Sequence, residues 1–194
     1  MFEPLFDYIE QKSGLSITPH EKNLIKTKFE FRRLRRRQYL LQEGDVCKQM
    51  GFVLKGAARM YSVDNKGHEY TLRLGIEGWW LGDYESYTLQ EPTKFFVEVL
   101  EDTDLLTATK ESIQYLASTI PAMAEMIRTV DKRTVIATQQ RIHAAISLTA
   151  EERFDALAKT HPDFLQRFPQ SMIASYLGIT AETLSRIRKK MVCR

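Results

Sequence analysis

The stretch "IASYLGITAETLSRIRKK", residues 173–190, holds two short helical patterns that meet at one glycine, Gly178. In the first, Ile173, Tyr176 and Leu177 share a side, and Pro169 is placed to open the helix. Gly178 can close it, because a residue without Cβ enters positive φ freely. Thr180 is a natural N-cap for the second, whose inner side is Leu184 and Ile187. Ile179 fills the angle between the two, and Ala174 is small enough for them to approach closely. Counted from Gln170, Ile, Ala, Leu, Gly, Ile, Leu and Ile fall at positions 4, 5, 8, 9, 10, 15 and 18. An ordinary pair of packed helices needs the apolar spacing but not the small, glycine and capping residues. The pattern predicts a helix-turn-helix.

The second helix of such a motif enters the major groove with its N-terminal half, so its outward residues should be hydrogen-bonding groups. Thr180, Glu182, Thr183, Ser185 and Arg186 fit that need. Arg186 can pair with guanine O6/N7 and Glu182 can accept from cytosine N4, each worth about 1–3 kcal/mol of discrimination. Arg188, Lys189 and Lys190 lie further along and suit phosphates. From Gln166 to Arg194 six basic side chains face one acidic one, a net +5, which supplies salt-dependent attraction to a polyanion. The expected partner is double-stranded DNA.

Working back from there, the chain of 194 residues with 43% apolar content suffices for one large domain or two small ones. Its 28 basic and 25 acidic residues nearly cancel, but they are segregated: Glu77–Asp104 carries eight acids against Lys94 alone, a net −7. No apolar run approaches the roughly 18 residues of a membrane span, and the opening Met-Phe-Glu-Pro lacks a basic, then apolar, leader. A cytoplasmic protein is expected. Cys47 and Cys193 are too few and too far apart for a disulfide framework and form no CxxC pair.

Thr18-Pro19 with Glu21 is a capping box, so a helix should start at Thr18 and carry Leu24, Ile25 and Phe29. The run "RRLRRR", residues 32–37, has the composition of a nucleic-acid patch, but basic hexamers are common and it reads rather as a solvated face leading into the next strand. Seven of the nine glycines lie between Gly44 and Gly82, separating short runs rich in β-formers. Such strands, without helices between them, predict an antiparallel jelly roll, in which Trp79, Trp80, Tyr84 and Tyr87 read as core, with the lining of an apolar ligand pocket as the alternative. After Lys110 the period becomes helical, and a long helix is expected from Pro121. Along it Met123, Ile127, Val130, Thr134, Ala137, Arg141, Ala144 and Leu148 form a heptad-like stripe, a candidate dimer seam. Thr149 with Glu152 is a second capping box. The fold class is therefore α+β: a sensing β jelly roll with an N-terminal helix over 1–120, a linking and dimerisation helix over 121–148, and a helix-turn-helix domain over 149–194.

A glycine-punctuated jelly roll, a long helix and a C-terminal helix-turn-helix, with "EGD", "GFVLKGAARMY", "DNKGHEYTLRLGIEGWWLGD" and "TAETLSRI", resembles the CRP/FNR family of bacterial transcription regulators over roughly Phe31–Lys190. The resemblance implies a homodimer joined through the long helix on a near-palindromic operator, with RNA polymerase and a small-molecule effector as further partners. It places the effector pocket at Gly82, Asp83, Glu85, Thr93 and Lys94. Cyclic-nucleotide sensors of the family follow a Gly-Glu pair with an Arg; here Gly82-Asp83 is followed by "PTKFF", with Thr93 or Lys94 where the Arg belongs. Lysine is a point charge, not a planar fork, and the net −7 nearby opposes a phosphate, so tight binding of cAMP is not expected. Two isolated thiols cannot hold the cluster of the oxygen-sensing branch, and His68 sits in a solvated turn. Ala181 stands where many members carry Arg, so their operator cannot be borrowed. "HPDFLQRF" (161–168) leaves little room for the β-wing that usually precedes the motif.

Three other readings compete. One is a cyclic-nucleotide-responsive regulator with a non-standard pocket, and a second is a sensor or scaffold that grips protein instead of DNA. A cupin metalloenzyme would need two histidines one residue apart, and His20, His68, His143 and His161 are scattered. No catalytic, metal or cofactor site is expected.

Overall fold

Pro4 in the first turn, Leu5, Phe6 and Ile9 at helical spacing, and Gly14 at φ 71° form α1 (Glu3–Ser13). Next comes α2 (Pro19–Lys28), where Thr18 Oγ1 accepts from the Glu21 amide at 3.3 Å and Glu21 Oε2 accepts from the Thr18 amide at 2.8 Å. The computed structural model describes residues 1–192, so Cys193 and Arg194 lie outside the described residues.

Six strands follow: β1 (Glu30–Leu34), β2 (Tyr39–Leu41), β3 (Gln49–Lys55), β4 (Ala58–Val63), β5 (Glu69–Gly75) and β6 (Trp80–Leu81). A one-and-a-half-turn helix, α3 (Tyr84–Leu89), separates them from β7 (Phe96–Val99) and β8 (Thr103–Thr109). The strands make two four-stranded sheets, in the orders β1-β8-β3-β6 and β2-β7-β4-β5. Antiparallel pairing sets Phe52 opposite Leu106 and Val53 opposite Leu105.

That register buries β3 and β8 on both faces, since successive side chains point to opposite sides. Val53 and Leu105 join Leu34, Leu41, Cys47, Ala58, Leu81, Tyr87, Val97 and Val99 in one cluster. Phe52 and Leu106 face the other way, into a cluster with Leu5, Phe6 and Ile9 of α1 and Ile25 of α2. The same cluster takes Leu116 of α4 (Lys110–Thr119) and Met123 and Met126 of α5 (Pro121–Ser147). With 27 residues, α5 is about 40 Å long at the usual helical rise.

After α5 come α6 (Ala150–Thr160), α7 (Phe164–Arg167), α8 (Gln170–Leu177) and α9 (Ala181–Val192). The chain divides into two compact units, residues 1–60 with 75–134, and residues 61–74 with 135–194. The division falls inside β4 and α5 and assigns residues 61–74, the greater part of the β4–β5 hairpin, to the second unit. In that unit Phe154, Leu157, Phe164, Phe168, Ile173, Ala174, Leu177, Leu184 and Ile187 are buried. Phe164 packs edge-on to Phe168 at 5.1 Å between ring centroids, which makes the short segment before α8 a helical turn with its own aromatic anchor.

Candidate nucleic-acid interface

Gly178 ends α8 at φ 68°, and the Ile179 amide reaches back to the Ala174 carbonyl at 3.0 Å. That six-to-one bond is the Schellman closure, which satisfies a carbonyl left over at the helix end and fixes the turn. On its far side Thr180 Oγ1 accepts from the Thr183 amide at 3.2 Å and its carbonyl accepts from the Leu184 amide at 3.0 Å. Thr180 is thus the cap of α9. Leu184 and Ile187 turn inward against α8 and α6 and are buried.

This arrangement leaves Glu182, Ser185, Arg186, Arg188, Lys189 and Lys190 exposed on α9. At about 100° per residue, Glu182, Ser185, Arg186 and Lys189 share the side opposite Leu184 and Ile187. Thr183 is half-buried, and its hydroxyl lies 3.1 Å from the Thr180 hydroxyl and accepts from Arg186 Nη2 at 3.3 Å. Lys190 donates to Glu151 Oε1 of α6 at 2.7 Å, so Thr180, Thr183, Arg186 and Lys190, of the eight residues expected at this surface, are hydrogen-bonded within the unit. Glu182 is held below the usual carboxylate range, first by its own backbone amide and then by the Thr180 hydroxyl, with a smaller pull from Arg186. It is a charged acceptor at neutral pH.

The other side of α8 carries contacts that the sequence did not suggest. Strand β5 lies at a sheet edge, where main-chain groups need partners. Ser175 Oγ accepts from the Thr71 amide at 2.8 Å and donates to the Glu69 carbonyl at 3.2 Å. Arg141 donates to the Leu72 carbonyl, and its guanidinium sits 4.5 Å from the centre of the Tyr176 ring. Six residues of α5, α8 and β5 are thereby joined inside the second unit. The hairpin turn itself is closed by Asp64, which accepts from the Lys66 amide at 2.8 Å and the His68 amide at 2.9 Å. Those bonds, with His68 and Tyr70, hold the Asp64 carboxyl down at about 2.

Of the five residues expected to form an effector pocket, Gly82, Asp83 and Thr93 are brought together and buried, whereas Glu85 and Lys94 are exposed. Gly82 has φ 141°, and a Cβ there would meet Met50 Sδ at 2.5 Å. Asp83 caps α3 by accepting from the Glu85 amide at 3.1 Å, and its second oxygen accepts from Thr93 Oγ1 at 2.7 Å. Ser86 donates to the Glu91 carbonyl and accepts from the Cys47 amide at 2.9 Å. Asp83, Ser86 and Thr93 are satisfied by these bonds, whereas the hydroxyl of Tyr87, buried in α3, has no hydrogen-bond partner among the described residues. Of the two residues at the position expected to carry a guanidinium, Thr93 is buried and bonded to the Asp83 carboxylate, and Lys94 is exposed.

On α5 the expected seam residues differ in exposure: Met123 is fully buried in its own core, Ile127 and Val130 pack against that core and stay half-buried, and Thr134 and Ala137 are exposed. The large apolar side chains that α5 leaves open are Val135, Ile136, Ile142 and Ile146, 58%, 53%, 56% and 80% exposed. Among the described residues no helix is long and apolar enough to cross a membrane.

Residues 31–119 match the family described as the cyclic nucleotide-binding domain. The chain is 23% identical over 165 residues to the Anaerobic regulatory protein of Haemophilus influenzae, with 79% of this chain and 63% of the relative aligned. It is 26% identical over 161 residues to the Fumarate and nitrate reduction regulatory protein of Yersinia pestis, with 77% and 64% aligned. It therefore spans less than two thirds of the length of these relatives. Among solved structures, FixK2 of Bradyrhizobium japonicum superposes with a TM-score of 0.69 at 17% identity over 85% of each chain. The Thermus thermophilus Catabolite Activator Protein does so with a TM-score of 0.59 at 20% identity, covering 95% of this chain and 86% of the other.

Proposed function

From the premise that the chain belongs to the CRP/FNR family, we propose that it is a transcription regulator that binds a near-palindromic DNA operator as a homodimer. The observation that carries this reading is α9: capped by Thr180, anchored by Leu184 and Ile187, and presenting Glu182, Ser185 and Arg186 together to solvent. Carboxylate, hydroxyl and guanidinium on one helical side read base edges, and Arg188 and Lys189 supply phosphate contacts. The symmetry of the operator follows from the symmetry of the dimer, whose seam we assign to Val135, Ile142 and Ile146. RNA polymerase is the partner through which such a regulator would act. It performs no catalysis. We further propose that cAMP and cGMP do not act as its effectors, because Thr93 already occupies the carboxylate that a nucleotide site would leave open.

Selection of bound sequences from a random duplex pool tests the reading. A two-fold symmetric motif with half-sites about 10–10.5 base pairs apart, centre to centre, is expected. Absence of any enriched motif, with no retention of duplex DNA at low salt, would sink it.

A further inference from the structure

Glu182 and Arg186 stand four residues apart on α9, yet they form no salt bridge among the described residues. What lies between them is a pair of hydroxyls. Arg186 Nη2 is 3.3 Å from Thr183 Oγ1, and Thr183 Oγ1 is 3.1 Å from Thr180 Oγ1. Thr180 Oγ1 also accepts from the Thr183 amide at 3.2 Å, the bond that caps the helix.

The donors available fix the direction of these bonds. A guanidinium has N–H donors and no acceptor, so Thr183 Oγ1 accepts from Arg186 and only its own proton is left for Thr180. Thr180 Oγ1 then accepts twice, from the amide and from the hydroxyl, and its proton is free for a further partner. The Glu182 carboxylate takes it: that group is held below the usual carboxylate range first by its own backbone amide and then by the Thr180 hydroxyl. The side chains thus make one chain of hydrogen bonds from Arg186 through Thr183 and Thr180 to Glu182. It runs from cation to anion and cannot run backwards. Bonds in such a series polarise and strengthen one another.

Thr183 is half-buried at the root of this chain, whereas Glu182 and Arg186 are exposed at its ends. A long arginine side chain loses rotamer freedom when it docks on a base, and holding it in place beforehand lowers that cost. We infer that Thr183 is a positioning residue for base recognition: its hydroxyl presets the Arg186 guanidinium and ties it, through Thr180, to the Glu182 carboxylate, while touching neither base nor phosphate itself. The inference rests on the DNA-binding reading and adds to it a residue that sets sequence discrimination from behind the contact surface.

The test uses the whole chain and the operator obtained by selection. Arg186→Ala first identifies the base pair that Arg186 reads, as the position where discrimination is lost. Thr183→Val keeps the side-chain shape and the capping amide but removes the hydroxyl, Thr183→Ser keeps the hydroxyl, and Thr183→Ala stands in should the valine variant fail to fold. Fluorescence anisotropy on duplexes changed at that one base pair, repeated across a salt series, gives discrimination and the slope of log K against log salt separately. Thr183→Val should lose discrimination at that position by about 2–10-fold, the worth of one hydrogen bond, while keeping the thermal midpoint and salt slope of the parent. Thr183→Ser should restore it. Parental discrimination in Thr183→Val would overturn the inference, as would an Arg186→Ala protein that discriminates at every position as the parent does. A salt slope lowered by about 0.9 would do the same by making Thr183 a phosphate contact. So would an equal loss of affinity for every duplex that serine does not restore, which would leave Thr183 a structural role alone. A parent chain that retains no duplex at low salt overturns the DNA-binding reading itself, whereas each of the other failures leaves that reading standing.

Discussion

Arg59 and Glu98 lie on neighbouring strands β4 and β7, between residues whose side chains fill the sandwich core, and so point to the opposite face of their sheet. Nε and Nη2 of Arg59 donate to Glu98 Oε2 at 2.9 and 2.7 Å, and the two side chains are only 8% and 11% exposed. At that burial each charge depends on the other, and removing one strands its partner in a poorly solvating site. Arg59→Ala should therefore lower the unfolding free energy by about 3–5 kcal/mol, whereas the double change Arg59→Met, Glu98→Leu should recover most of it. Urea midpoints of the three proteins check this, and a single mutant as stable as the parent would show that water reaches the pair. Nothing in the sequence marks these two residues: they are 39 positions apart, and only strand pairing brings them together. The Asp83–Thr93 bond is half legible. The departure from the family pattern at Thr93 is visible in the chain, but the hydroxyl closing on the carboxylate requires the loop geometry.

At the scale of elements, the turn between α8 and α9 was the most legible part because each of its constraints is local: a left-handed residue, a cap and two inward apolar positions. Gly178 and Gly82 show how differently two such glycines are held. A Cβ on Gly178 would meet nothing within 4 Å, so Gly178→Ala should cost only the left-handed conformation, about 1–2 kcal/mol, with the fold and α9 retained. Asn, which visits that region more readily, should cost less at the same position. Thermal or urea unfolding of the two variants gives the comparison; equal and negligible losses would mean that the helix end relaxes into another closure. At Gly82 a Cβ would also strike Met50 Sδ at 2.5 Å, so the loop as well as the φ angle would have to give. The long helix was legible in its length but not in its faces. A heptad stripe cannot say which apolar positions the chain will cover by itself, and the fold of α1 and α2 beneath β3 and β8 covers Met123. The arginine run at 32–37 was visible too, yet its corner at Arg37, with φ 68°, depends on Asp102 and Val99, some 60 residues away.

For the molecule as a whole, the question is what covers the second half of α5. Val135, Ile142 and Ile146 recur at spacings of seven and four, the repeat that lets two helices keep one seam in contact, and Ile136 lies beside them. Exposed apolar side chains gathered on one helix mark an association surface more often than a solvent-facing one. A second copy of the chain is the occupant that the proposed operator symmetry requires, because an isologous seam orients two α9 helices by the same two-fold axis. Ile142→Asp with Ile146→Asp would place two carboxylates in that seam while disturbing nothing in a lone protomer, where these side chains are 56% and 80% exposed. The variant should sediment as a monomer with a nearly unchanged far-ultraviolet spectrum. Each protomer would still hold a half-site, but the linkage between half-sites would be gone, and operator affinity should fall by roughly 10²–10⁴-fold. Dimers that persist in sedimentation at micromolar concentration would place the seam elsewhere, and an operator affinity that survives monomerisation would mean that one α9 suffices for binding.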